Sequence, residues 1–354
     1  DSSLENQNAP YGRVNTIYDM PDGGLGSSQP MTSGTRRELL LVSGVLGLCI
    51  LAFYFLSEWS GKVVLQGVNA GVIPYTHSMQ QVIQILYTIL TILVPFAVGA
   101  FFIKRIQKRD ELLLLDRPKS RTLFLEAFGI GCAAIIAANL ITSALVAFAG
   151  GFGVEFDSYK PESPTGVSQM LWMLLSNAIV PAMVEEFALR GVILQSLRRY
   201  GDAFAVFASA IIFAMMHGNM TQAPFAFLLG VVLAMLVIMT GSLWTSMAVH
   251  LFNNTYSVLM TTLYDRGDDQ LTAMVTVSVY TLLAIYGVIA LVYFFGMHGG
   301  LNHLRNRFKP GGPSPEGIRL YRRQAWLYTI ISPTMLAALI ILVKGLVETV
   351  HLKG

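Results

Sequence analysis

Nine apolar segments follow one another after residue 35, at about 39–57, 79–103, 124–149, 168–198, 202–217, 223–241, 244–263, 272–298 and 325–349. A bilayer crossing takes about 20 apolar residues at 1.5 Å rise each, and most of these runs reach that length. In hydrocarbon every backbone N–H and C=O must be satisfied within the segment itself, which leaves helices or closed barrels. The runs are too long and too continuously apolar for barrel strands. The expectation is therefore an all-α, polytopic transmembrane helix bundle of about nine spans. Composition agrees: 54% of the 354 residues are hydrophobic and 13% are charged, about half the charge of an ordinary soluble chain.

The first 35 residues are rich in Asn, Ser, Gly, Asp and Pro and carry no periodicity, which reads as a flexible polar tail. The first apolar run, starting near Glu38, is long enough to remain as a span rather than serve as a cleaved signal. Cys49 and Cys132 both fall inside apolar runs and read as small buried hydrophobes, with no disulfide or Cys-based metal site implied.

Charge supplies the orientation. Seven Lys and Arg lie between Lys104 and Arg121, and six between Arg305 and Arg323. The segments around Glu155–Asp157 and Asp265–Asp269 lean acidic. Lys and Arg accumulate on the cytoplasmic side, so the alternation places the N-terminus inside and the C-terminus outside. The 240–243 turn has no charge to test this. The basic loops are read as topology signals against anionic headgroups rather than as nucleic-acid sites.

Ionisable residues within the apolar runs cost about 2.5–3.5 kcal/mol each near a helix centre, so those that cluster need a reason. The stretch PAMVEEFALRGVIL holds Glu185, Glu186 and Arg190. Glu186 and Arg190 are four apart and share a helix face, as an ion pair would. Glu185 is turned about 100° away and has no evident local partner. An unpaired carboxylate in a low dielectric suits a general base, while an interfacial salt-bridged turn is the plainer alternative. FAMMHGN holds Phe213 and His217, and AVHLFNN holds His250 and Asn254, again four apart. A capping histidine and an interhelical hydrogen bond are the plainer readings of these two.

Depth brings them together. Arg198, Arg199, Tyr200 and Gly201 form a polar turn. Glu185 precedes it and His217 follows it by similar distances, each about 22 Å away along a helix. Both then lie at one level on antiparallel neighbours, with the His250–Asn254 face on a nearby helix. That constellation can be hydrolytic.

Glu-Glu-x-x-x-Arg at 185–190, Phe-x-x-x-His at 213–217 and His-x-x-x-Asn at 250–254 resemble the three motifs of the CAAX protease and bacteriocin-processing family of intramembrane proteases. The resemblance covers about residues 168–262. It implies that Glu185, aided by His217, activates water, that His250 and Asn254 stabilise the oxyanion, and that Glu186, Arg190 and Phe213 support the site. It further implies a membrane-associated peptide or protein as substrate, CaaX-like or of the peptide-maturation type. No cofactor is expected. A divalent metal such as zinc, held by Glu185, His217 and His250, is the mechanistic rival.

The chain is accordingly divided into a tail (1–35), N-terminal membrane helices (36–165), a catalytic core (166–264) and C-terminal membrane helices (265–354). A bacterial plasma membrane is the expected location, with endoplasmic reticulum as the eukaryotic counterpart. A transporter or channel using the Glu and His residues as a relay is the alternative function, and a membrane scaffold is the third.

Overall fold

The computed structural model of the protein describes residues 31–157, 163–298 and 322–352. Most of the polar tail, Lys160 and nearly all of the basic 299–324 segment lie outside these residues. All nine apolar segments are helical. They form α1 (Ser33–Asn69), α2 (His77–Gln107), α3 (Arg121–Gly151), α4 (Val167–Arg198), α5 (Asp202–Met216), α6 (Ala223–Thr240), α7 (Leu243–Asp265), α8 (Asp269–His298), α9 (Arg322–Ile330) and α10 (Pro333–Glu348).

Short polar residues start several of them by accepting the backbone N–H groups that a first helical turn leaves over. Thr32 Oγ1 accepts from Thr35 N at 3.2 Å, Thr76 Oγ1 from Met79 N at 3.3 Å, and Ser120 Oγ from Leu123 N at 3.3 Å. Gly241, at φ 66°, closes α6 in the left-handed conformation, which glycine adopts without steric cost.

Three expectations need correction. Helix α1 begins at Ser33, inside the stretch assigned to the tail. Among the described residues six helices are long and apolar enough to cross a membrane, or seven if a bent pair counts as one, rather than nine. Helix α5 has 15 residues, and α7 is made less apolar by Ser246, His250, Asn253 and Asn254. The last run is the bent pair: α9 and α10 meet at 85°. Ser332, at ψ 123°, precedes Pro333, and proline both disfavours helix in the residue before it and lacks the N–H to continue one. A short antiparallel ribbon, Val154–Phe156 (β1) with Val350–Leu352 (β2), also forms.

Contacts between chain segments sort the helix ends into two sides. On one, Ser242 Oγ donates to Asp116 O at 2.6 Å and Trp244 Nε1 to Leu115 O at 2.9 Å. The uncharged 240–243 turn is thereby fastened to the basic 104–121 segment. Arg199 Nε lies 3.0 Å from Glu38 Oε1, which brings the start of α1 to this side. On the other side the β ribbon joins the end of α3 to the end of α10. Met220 N there donates to Thr349 Oγ1 at 3.2 Å, and the Ser163 hydroxyl donates to Asp265.

Helices α5, α6 and α7 pack around α4, flanked by α3 with α8 and by α1 with α10. Small residues bring the outer pairs together, as membrane helices without a hydrophobic drive toward one another require. A Cβ on Gly47 of α1 would lie 2.3 Å from Met335 N of α10. Gly61, farther along α1, has open space around it. Gly47→Ala is expected to destabilise by about 1–3 kcal/mol through overpacking. Gly61→Ala is expected to raise stability slightly, because alanine is the better helix former. Thermal unfolding in detergent separates the two; equal effects would contradict the packing account.

Candidate active site

Glu185 and Glu186 sit at the end of an α-helical stretch, Val180–Glu186, and Arg190 lies within a π-helical stretch, Phe187–Ile193. Both belong to α4. Arg190 NH1 donates to Glu186 Oε1 at 2.7 Å, so the four-residue spacing does form an ion pair. Both residues have no solvent exposure. A pair this deep holds because each partner satisfies the other, and removing one would strand a buried charge.

Arg190 reaches two further helices. Its NH2 donates to Gly230 O of α6 at 3.2 Å, and its guanidinium carbon lies 4.4 Å from the centre of the Phe213 ring on α5. That distance is a cation–π contact, strongest where water is excluded. A Cβ on Gly230 would stand 3.2 Å from Phe213 Cδ1 and 3.3 Å from Ala210 Cα. Glycine at this position therefore lets α5, α6 and the arginine converge. Nothing local in the sequence marked Gly230.

His250, on α7, joins the two glutamates. Its Nδ1 lies 2.9 Å from Glu186 Oε1, and since a carboxylate accepts, Nδ1 donates. Its Nε2 faces Glu185 Oε2 at 3.8 Å. Glu185 thus has a partner that sequence spacing could not reveal, 65 residues along the chain. Its side chain keeps 22% exposure where Glu186 has none, so of the two carboxylates Glu185 has room for water.

His217 caps the end of α5. Its Nδ1 lies 2.8 Å from Phe213 O, a carbonyl, so Nδ1 carries hydrogen and Nε2 is the free atom of the neutral ring. Phe213 stacks edge-on to His217 at 4.7 Å and to His250 at 5.9 Å between centroids, and so contacts both imidazoles as well as Arg190. No hydrogen bond or ion pair joins His217 to Glu185 among the described residues. Asn254 lies one turn beyond His250 on α7, and its Oδ1 accepts from Asn253 Nδ2 at 3.1 Å. No hydrogen bond joins it to either glutamate among the described residues.

As a ligand set, Glu185, His217 and His250 do not meet around one point. Among the described residues no group of three His, Cys, Asp or Glu side chains is arranged to hold a metal ion. With Nδ1 of His250 on Glu186 and Nδ1 of His217 on a backbone carbonyl, Nε2 is the ring nitrogen that either histidine has left to offer.

The arrangement offers one accessible carboxylate, two oriented imidazoles and the Asn254 amide one helical turn from His250, backed by a buried Glu–Arg pair. Comparison with known families matches residues 167–256 to the Rce1-like family, described as type II CAAX prenyl endopeptidase. That range contains all seven residues singled out above. No curated protein and no solved structure matches the chain.

Proposed function

Because residues 167–256 of this multi-pass membrane protein match the Rce1-like, type II CAAX prenyl endopeptidase family, we propose that the chain is an intramembrane endopeptidase with Glu185 as its general base. The observation that carries this reading is the contrast between the two glutamates. Glu186 is sealed and paired, whereas Glu185 is accessible and faces an imidazole at 3.8 Å.

In the proposed reaction Glu185 removes a proton from water, and the water oxygen adds to the scissile carbonyl. His217 accepts through Nε2 and holds the water in line. The oxyanion is met by the Asn254 amide N–H and by the Nε2–H of a His250 ring that enters the cycle as imidazolium and leaves it unchanged, in the manner of preorganised donors. Collapse breaks the C–N bond, and the proton taken by Glu185 passes to the leaving amine. Glu186 accepts from His250 Nδ1 and fixes its ring, Arg190 neutralises Glu186, and Phe213 packs both imidazoles.

The substrate class is a membrane-associated protein or peptide, CaaX-like or of the peptide-maturation type. The chain sits in a bacterial plasma membrane with its N-terminus cytoplasmic. The fastening of the 240–243 turn to the basic 104–121 segment supports this orientation.

The test uses the full chain in liposomes, offered membrane-anchored peptides led by a farnesylated CaaX peptide. Release of the C-terminal fragment is expected, undiminished by 1,10-phenanthroline. Proton or ion flux without cleavage of any peptide would instead assign the Glu–His cluster to transport. Cleavage abolished by the chelator and restored by zinc would overturn the metal-free mechanism.

A further inference from the structure

Helix α4 contains two π-helical stretches, and only one has a proline to account for it. Leu175–Ile179 leads directly into Val180 and Pro181, just as Ile89–Leu93 in α2 leads into Val94 and Pro95. Proline lacks an N–H and crowds the carbonyl four residues back, so a widened turn before it relieves a conflict. The stretch Phe187–Ile193 contains no proline, yet it carries Arg190.

The end of that stretch shows what the widening leaves over. Leu194 N–H bonds to Leu189 O, five residues back. In an α-helix the same N–H would go to Arg190 O. The Arg190 carbonyl thus loses its α-helical donor, at a depth where water is not at hand to replace it. Gln195 Nε2 donates to Arg190 O at 3.2 Å.

Gln195 is itself buried and held at its other polar atoms. Its Oε1 accepts from Arg198 NH1 at 3.1 Å, and Arg198 Nε pairs with Asp202 Oδ1 at 2.8 Å. Its backbone carbonyl accepts from Arg109 NH1 at 3.2 Å. The side chain cannot turn away without unpairing both the Arg190 carbonyl and Arg198 NH1. Relaxing the π-turn to α would shift the helix by about one residue, a rotation of roughly 100° between the glutamates and the Arg198–Asp202 end.

We propose that Gln195 is a positioning residue for the reaction, capping the carbonyl of Arg190 and holding the register in which Arg190 meets Glu186, Phe213 and Gly230 together. This rests on the hydrolytic reading above. π-turns recur at functional sites, and here a side chain outside the three motifs maintains one.

Two variants separate the donor from the rest of the network. Gln195→Met removes both polar atoms at similar size. Gln195→Glu keeps an acceptor for Arg198 but removes the donor to Arg190 O. With the farnesylated CaaX peptide as probe, both are expected to lower kcat about tenfold and leave KM within about twofold. Hydrogen–deuterium exchange in the same samples is expected to quicken over residues 187–196 and not elsewhere. Wild-type kcat in Gln195→Glu would assign the role to the Arg198 contact and overturn the proposal. Unchanged exchange at 187–196, or exchange quickened throughout the chain, would also overturn it. If the wild type cleaves no peptide, the hydrolytic reading has failed, and the exchange data still decide whether Gln195 holds the turn.

Discussion

Glu185→Gln is expected to lower peptide hydrolysis about 10³-fold, within the range by which a positioned general base accelerates a reaction, and to leave the fold intact. The substitution preserves size and hydrogen-bonding capacity and removes the basic oxygen. It touches neither the Glu186–Arg190 pair nor the Phe213 contacts, so stability has little reason to change. Glu186→Gln makes the informative companion. Glu186 is sealed from water and serves His250 and Arg190, so its loss acts through the orientation of His250 and through an uncompensated arginine. The expectation is a smaller loss of rate with a clear fall in thermal stability. Initial rates and unfolding curves on the two purified variants distinguish a base from a support, and a reversed order of effects would exchange the two roles.

Arg190→Met is expected to be the most destabilising single change in the site. It strands a buried carboxylate, and breaking a buried pair from one side costs roughly 3–5 kcal/mol. It also removes the donor to Gly230 O and the cation over Phe213, loosening α4 from α5 and α6 at once. The double variant Glu186→Gln with Arg190→Met tests the cause. With the stranded charge gone, most of the stability is expected to return, since replacing both partners is often near neutral. Activity is not expected to return, because His250 Nδ1 then lacks its charged acceptor. Chemical denaturation in detergent micelles measures both variants. A single variant as stable as wild type would reduce Arg190 to a residue that merely marks the sequence.

The helices were legible because apolar runs of this length have one inexpensive solution in lipid, and a carboxylate four residues before an arginine can only share its face. Other features depend on chain segments far apart. His250 meets Glu185 and Glu186 across more than 60 residues, and the relative rotation of α4 and α7 that aims Nε2 at Glu185 leaves no trace in either segment. The same holds for Gly230, which matters for the space it leaves and the carbonyl it offers. The bend before Pro333 carried a signal, a Ser-Pro step inside an apolar run, that run length alone overrode. The π-turns before Pro95 and Pro181 carried one as well, whereas the turn at Phe187–Ile193 is stabilised by tertiary contacts around Gln195 and Arg190. The β ribbon was hidden by its size, since Val154–Phe156 and Val350–Leu352 are each three residues long and owe their pairing to the helices that end beside them.

Glu185 and His217 stand at similar distances along the chain from the 198–201 turn, yet no hydrogen bond or ion pair joins them among the described residues. Helix rise fixes height along the bundle and says nothing about azimuth. Phe213 packs against Arg190 and both imidazoles, and the ring of His217 is fixed by its own helix through Phe213 O.

The most direct measurement of the central claim compares the protein termini in membranes and medium of cells carrying wild type with those carrying Glu185→Ala, by terminus-resolved mass spectrometry at matched expression. A membrane-associated precursor is expected to accumulate in the variant, and a new terminus, at a single cleavage site, is expected with wild type. Identical terminus profiles in the two would contradict that claim.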